Sequence, residues 1–317
     1  MNWSSYTAFF SAEYSSRFLK RIYTRLQLPN ADQKSYENCY PFMYYLEHGK
    51  LYYSQAEISP LPVKPILLFY GLVHLAKACI LTVNPDYPET TAVLAHGLSS
   101  RKRKKQQYAF LEDEVKLQKH GLFPLLAESL FRIRQAEGEK IKMGDLLKLV
   151  PELSPLFSQL TGKPTFYMLE EEGGHYLLPD KILDLFHMTS DRFKGFLQAK
   201  STIPVTFSTA EPDGSIAFCS DLSSYFDPAP FKYNLYTRQH AFPLNKEKHF
   251  RFPELLVHYL VLYNLGMIAR YEIEWWSELT KMMPNDDYPF IESFLDISLK
   301  KGPYLIYQYL ASRQNCL

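Results

Sequence analysis

Apolar and aromatic side chains recur every three or four residues along much of the chain, which is the spacing of one helix face. The first 60 residues carry such a stripe, formed by Phe9, Phe10, Tyr14, Phe18 and Ile22. Two later stretches, Ile66–Leu81 and Pro253–Arg270, are almost wholly apolar. Each begins at or just after a proline, which the first helical position tolerates because the missing N–H would have no partner there. These patterns predict a mainly helical protein with two apolar core helices.

The stretch Ile66–Leu81 is apolar enough to raise the question of a membrane span. Its residues would form a helix of roughly 24 Å, which is short of a hydrocarbon core of about 30 Å. It also contains His74 and Lys77, and a charged side chain inside a bilayer is costly. We therefore expect a buried core helix and no membrane partner. Met1–Phe10 lacks the basic and apolar regions of a signal peptide, which favours the cytoplasm.

Between about residues 160 and 240 the pattern changes to short alternating runs. The segments Thr165–Glu170 and His175–Leu178 flank Glu-Glu-Gly-Gly, and Ile203–Ser208 and Ser215–Ser220 flank Glu-Pro-Asp-Gly. Both patterns are typical of β-hairpins. The fold class predicted is therefore mainly α with a small α+β insert. We expect an N-terminal helical part at 1–160, the insert at 161–245, and a C-terminal helical part at 246–317.

Composition narrows the functional classes. The 35 basic and 34 acidic side chains leave a net charge of +1, so the chain as a whole is not drawn to nucleic acid or to anionic membranes. The four cysteines are scattered, and none belongs to a cluster with zinc spacing, so we expect no metal or other cofactor. The chain is rich in tyrosine, with 24 residues. Tyrosine suits partly solvated cores and interfaces because it joins an apolar ring to a polar hydroxyl.

The two apolar stretches resemble each other internally. Tyr70–Lys77 aligns with Tyr263–Arg270, with a tyrosine at the start and a basic residue at the end of each. Two explanations remain open: a duplicated helical unit, and chance similarity between two leucine-rich helices. The spacing also places Tyr70, His74 and Lys77 on one helix face. They could line a ligand pocket together with Tyr263 and Arg270, or they could form a purely structural hydrogen-bond network.

A run of five consecutive cations interrupts the polar segment after His96-Gly97. It consists of Arg101, Lys102, Arg103, Lys104 and Lys105, and Tyr108 and Phe110 follow it. Cations beside aromatic rings can bind the phosphates of RNA or of a nucleotide while a base stacks on a ring. The alternative is a solvated surface segment without a ligand.

Several motifs together resemble the YaaC-like family of bacterial proteins. They are Pro65–Ala78, His96-Gly97 with the basic run, Val115–Phe123, and His258–Tyr271 with Trp275. The resemblance spans most of the chain. It implies a bacterial cytoplasmic protein and carries over no catalytic activity. Genes of the family often lie beside that of IMP dehydrogenase, so the resemblance also implies a link to purine metabolism, with that enzyme as a conceivable protein partner.

The helical parts also show a looser likeness to the HEPN superfamily, which suggests a helical core built from two related HEPN-like units. Ribonucleases of that superfamily carry an arginine and a histidine separated by four to six residues, and Arg251 and His258, with six residues between them, fit this spacing. About one such match is expected by chance in this chain. We therefore favour a non-catalytic protein that binds a partner protein or a phosphate-bearing ligand. The alternative is a HEPN-like, metal-independent ribonuclease that uses Arg251 and His258.

Overall fold

The computed structural model describes residues 3–100, 108–134, 137–208, 214–223, 226–245, 250 and 252–315. The chain divides into two compact units. The first comprises Met1–Gly144 and His258–Leu317, and the second comprises Asp145–Val257. The predicted insert at 161–245 lies inside the second unit. Long helices with small antiparallel sheets confirm the predicted fold class.

The first unit contains most of the helical structure. Its helices are α1 (Ala12–Arg25), α2 (Ala31–Ile58), α3 (Lys64–Leu81), α4 (Leu122–Phe131), α10 (Ile273–Met282) and α11 (Asp287–Asn315), and it also holds most of α9 (Glu254–Tyr271). The short helix α5 (Met143–Leu147) crosses the boundary between the units. Two helices are longer than the sequence pattern suggested, because α2 continues through Pro41 and α11 continues through Pro303.

Helix α3 is the central helix of this unit. It packs against α2, α4 and α11, and Pro65 lies in its first turn. It is long and apolar enough to cross a membrane, yet 67% of it is buried inside the protein. This is the burial expected of a core helix in a soluble protein, as predicted.

Helices α2 and α3 cross with their backbones close together. A Cβ atom on Gly71 would lie 2.8 Å from the ring of Tyr53, and one on Gly49 would lie 3.3 Å from the carbonyl oxygen of Gly71. The missing side chains therefore allow the close approach. As a result, aromatic residues of α2 lie directly alongside polar residues of α3.

A three-stranded antiparallel sheet completes the first unit. Its strands are β1 (Leu98–Ser100), β2 (Glu114–Leu117) and β3 (Lys140–Lys142), in the order β1-β2-β3. The sequence pattern did not predict this sheet, because strands of three or four residues are too short to show alternation. Gly97 and Gly121, both with positive φ, contact each other where the loop before β1 meets the start of α4.

The second unit is the α+β part. Its elements are α6 (Ser154–Thr161), β4 (Phe166–Met168), β5 (Glu170–Glu172), β6 (His175–Pro179), α7 (Lys181–Phe186), α8 (Ser190–Lys200), β7 (Thr206–Phe207), β8 (Ser215–Cys219), β9 (Lys232–Asn234) and β10 (Gln239–Pro243). One sheet has the order β4-β10-β9 and the other β5-β6-β8-β7. The predicted hairpin around Glu-Pro-Asp-Gly occurs as the antiparallel pair β7–β8. A hairpin also forms around Glu-Glu-Gly-Gly, but its first strand is β5, which includes both of these glutamates. Most of the predicted strand Thr165–Glu170 instead forms β4, which pairs with β10. The core of this unit is rich in phenylalanine, including Phe186, Phe193, Phe218 and Phe242.

Candidate ligand-binding site

Side chains of α2 and α3 form a layer of stacked rings around His74. The imidazole of His74 stacks on Tyr52 with ring centroids 5.4 Å apart, and on Tyr45 at 6.2 Å. The exposed ring of His48 lies 5.4 Å from it. The three α2 residues are three and four positions apart, so they project from one side of that helix.

Lys77 lies one turn beyond His74 on the same face of α3. Its ammonium lies 5.7 Å from the ring centroid of Tyr45, in a cation–π contact. Within the described part of the chain it makes no ion pair with an acidic side chain. Burial lowers the pKa of Lys77. The layer thus holds a half-buried cation whose charge no carboxylate balances.

A second cation enters from α9. Arg270 donates a hydrogen bond of 3.2 Å from Nη1 to the hydroxyl of Tyr70, and its guanidinium lies 5.9 Å from the centroid of that ring. The guanidinium is also held by the carbonyl oxygen of Gly266 at 3.1 Å. Among the described residues no carboxylate pairs with Arg270. The ring of Tyr70 in turn lies 6.2 Å from that of Tyr52, so the aromatic layer is continuous.

His96 joins the layer from the loop before β1. Its ring lies 5.9 Å from the rings of both Tyr70 and Tyr263. These are the two tyrosines that correspond in the internal alignment of α3 with α9. The loop is fixed from three sides: the carbonyl oxygen of His96 accepts from the Tyr259 hydroxyl at 3.3 Å and from the Phe123 N–H at 3.1 Å, and Tyr263 donates to the carbonyl of Leu98 at 3.0 Å.

We call these nine residues the Tyr–His cluster: Tyr45, His48, Tyr52, Tyr70, His74, Lys77, His96, Tyr263 and Arg270. The electrostatics of the cluster keep its two inner histidines neutral. Burial lowers the pKa of His74 to about 4, with help from the nearby charges of Lys77 and His48. Burial and the charges of Arg270 and Lys77 also lower the pKa of His96. The Nδ1 atom of each of these two imidazoles is buried and has no hydrogen-bond partner in the part of the chain that the structure describes.

The structure brings together all five residues that the sequence suggested for a pocket. Tyr70, His74 and Lys77 share one face of α3, and Tyr263 and Arg270 approach it from α9. Sequence reasoning did not assign Tyr45, His48 or Tyr52 to the site. Their spacing within one predicted helical stretch was visible, but the sequence did not show that this helix packs against α3. His96 was singled out only as part of a motif and not as a neighbour of Tyr70.

The residues proposed for ribonuclease chemistry have a different setting. His258 is completely buried, its Nδ1 lies 2.6 Å from the hydroxyl of Ser298, and its ring stacks on Phe294 at 5.2 Å. These contacts are those of a core histidine. Arg251 lies outside the described residues, as does the basic run Arg101–Lys105. In the described part of the chain, no group of three His, Cys, Asp or Glu side chains is placed to hold a metal ion.

A search of curated proteins and a search of solved structures found no match. A family model described as YaaC-like protein matches residues 7–310, which is nearly the whole chain and includes every residue of the Tyr–His cluster. The chain therefore belongs to the YaaC-like protein family.

Proposed function

We propose that this protein is a non-catalytic cytoplasmic binding protein whose ligand is a small phosphate-bearing molecule with a flat ring, held at the Tyr–His cluster. The observation that carries the proposal is the pair of half-buried cations, Lys77 and Arg270, which lie beside an aromatic layer and have no acidic partner among the described residues. A half-buried charge is usually paired, because removing it from water is costly. An anionic ligand would supply the missing counter-charge.

The rest of the cluster suits the flat part of such a ligand. The rings of Tyr45, Tyr52, Tyr70 and His74 are half-buried, so part of each faces solvent. Stacking of a base on an aromatic side chain contributes about 1–3 kcal/mol. The unpaired Nδ1 atoms of His74 and His96 offer polar positions beside the rings. Apolar walls with a few polar groups and unbalanced charge are typical of small-molecule sites.

The family's implied link to purine metabolism selects the first ligands to test. The melting temperature of the purified protein would be measured with inosine, guanosine and adenosine monophosphate. The matched controls are the corresponding nucleosides, which lack the phosphate, and ribose 5-phosphate, which lacks the base. We expect a rise of several degrees with at least one monophosphate and a much smaller rise with either control, because a ligand that binds only the folded state stabilises it.

The same panel can contradict the proposal. If the nucleosides stabilise the protein as well as the monophosphates do, the cations do not bind the phosphate. If ribose 5-phosphate suffices, the rings do not bind a base. If no ligand raises the melting temperature, the protein does not bind these purine nucleotides and the proposal is contradicted. The basic run Arg101–Lys105 stays a second predicted contact for phosphates, and changing Arg101→Glu with Lys102→Glu tests whether it adds to the same rise.

The ribonuclease alternative makes a separate prediction. RNA cannot reach an imidazole that is buried against Ser298 and Phe294, so we expect no cleavage when the protein is incubated with total RNA in the absence of metal. His258→Ala should lower the stability of the protein, because it leaves a cavity in the core. Metal-independent cleavage by the parent protein that disappears in His258→Ala would instead establish the nuclease and exclude a purely binding role.

A further inference from the structure

Helix α2 has two apolar faces. Its buried face carries Cys39, Phe42, Leu46, Tyr53 and Ala56. Its outer face carries five exposed large apolar side chains: Tyr36, Tyr40, Tyr44, Leu51 and Ile58. At 3.6 residues per turn these five fall within an arc of about 80°, centred opposite the buried face. The outer face of a surface helix is ordinarily polar, so an apolar stripe on a solvent-exposed helix face is unusual.

The stripe is long, and its exposed area suits a stable interface. From Tyr36 to Ile58 it runs roughly 33 Å along the helix. The rings of Tyr40 and Tyr44 already contact each other, with centroids 6.1 Å apart. Together the five side chains expose several hundred Å², which approaches the roughly 800 Å² per partner of a standard protein interface. Tyrosine is also among the residues that contribute most to binding energy at such interfaces.

Charges along the stripe favour one way of pairing two copies. Glu47 lies near the midpoint of the stripe, and an antiparallel pair with its two-fold axis between positions 47 and 48 keeps the two Glu47 side chains from facing each other. The same axis sets Tyr44 opposite Leu51 and Tyr40 opposite Gln55. A parallel pairing would instead bring the two Glu47 carboxylates together, which is unfavourable. The near-neutral net charge of +1 also leaves no strong repulsion between copies.

We propose that a second copy of this chain covers the α2 stripe, so that two protomers associate through antiparallel α2 helices in a two-fold dimer. Such an interface is self-complementary, since each copy contributes the same patch. The proposal concerns the outer face of α2 and does not depend on the ligand proposed for the Tyr–His cluster.

The first test measures the mass of the full-length protein in solution by light scattering or sedimentation. We expect twice the chain mass of 37.1 kDa at micromolar concentration. Tyr44→Lys with Leu51→Lys should give the monomer mass. The matched control is Tyr236→Lys with Leu185→Lys in the second unit, because these side chains are 55% and 53% exposed and those of Tyr44 and Leu51 are each 55% exposed. The control should remain dimeric, and circular dichroism confirms that both variants fold.

A cross-linking experiment tests the antiparallel register. In a background with Cys219→Ser and Cys316→Ser, the double variant Tyr44→Cys with Leu51→Cys should form a disulfide-linked dimer on mild oxidation. Either single variant should cross-link far more slowly, because its two cysteines would face Leu51 or Tyr44 of the other copy. Cysteines at 44 and 51 of one helix are about 10 Å apart, too far to join within one chain.

A monomer at all micromolar concentrations overturns the proposal. So does a dimer that Tyr44→Lys with Leu51→Lys leaves intact, because the copies would then meet elsewhere. Cross-linking of the single variants at the rate of the double variant would contradict the antiparallel register.

Discussion

At the scale of single residues, the cluster is defined by groups held in unfavourable electrostatic states. His74 lies between two tyrosine rings and one turn from Lys77, and its pKa is lowered to about 4. Lys77 itself is half-buried, and its pKa is lowered by the same burial. A protein that only had to fold would gain stability from neutral apolar side chains at these positions. The cost of keeping His74 and Lys77 there is consistent with a ligand that stabilises them.

The lowered pKa of His74 predicts a pH dependence of stability. Between pH 6.5 and about 4 the unfolded chain binds a proton at this imidazole and the folded protein does not. The unfolded state therefore binds more protons in this window, and the free energy of unfolding falls as the pH falls. We expect the melting temperature to drop as the pH is lowered from 7 to 5, and to drop less in His74→Gln. Exposed His120→Gln is the control, and an equal reduction in both variants would contradict the assignment to His74.

At the scale of elements, two close backbone contacts position the cluster. Gly49 and Gly71 let α2 and α3 approach, which brings Tyr45 and Tyr52 to His74. Gly97 and Gly121 let the loop that carries His96 lie against the start of α4. The geometry of the cluster thus depends on glycines that are not themselves members of it.

Replacing Gly121 tests the second contact. A Cβ atom there would overlap the backbone of Gly97 and lie 2.9 Å from the carbonyl oxygen of Ala95, and the φ of 132° is unfavourable for alanine. We expect Gly121→Ala to lower the free energy of unfolding by about 3 kcal/mol or more. Gly162→Ala is the control, because its φ is also positive, at 74°, but nothing lies within 4 Å of an added Cβ. It should cost only about 1 kcal/mol. Denaturant unfolding measures both losses. If Gly121→Ala and Gly162→Ala lose similar stability, the contact between Gly121 and Gly97 is not tight.

The elements also show what the sequence could predict. Helical spacing is a local signal, so Ile66–Leu81 and the shared face of Tyr70, His74 and Lys77 were predictable. The similarity of α3 and α9 suggested that Arg270 could share a pocket with Tyr70, but it did not predict their contact. Tyr45, Tyr52 and His96 could not be assigned, because the packing of α2 on α3 and the path of the loop before β1 are set by contacts between distant parts of the chain. The strands β1, β2 and β3 are likewise too short to show an alternation of polar and apolar residues.

At the scale of the whole molecule, both proposed surfaces belong to the helical unit. With a net charge of +1, the protein has no strong overall field, so local cations would have to attract the proposed anionic ligand. The family match covers residues 7–310 and therefore both units, but the Tyr–His cluster and the α2 stripe both belong to the first. The two surfaces lie on different sides of α2, so a dimer through the stripe leaves Tyr45 and Tyr52 facing α3.

The most direct test of the central claim is the affinity for purine nucleoside monophosphates, measured by calorimetry, in the parent protein and in Lys77→Gln with Arg270→Gln. The control Lys163→Gln with Lys181→Gln removes the same two charges from exposed positions in the second unit. The account predicts that the parent and the control bind alike and that the cluster variant binds at least about 100-fold more weakly, since it loses two charge-assisted hydrogen bonds of about 1.5–3 kcal/mol each. Equal binding by all three proteins, or none by the parent, would contradict it.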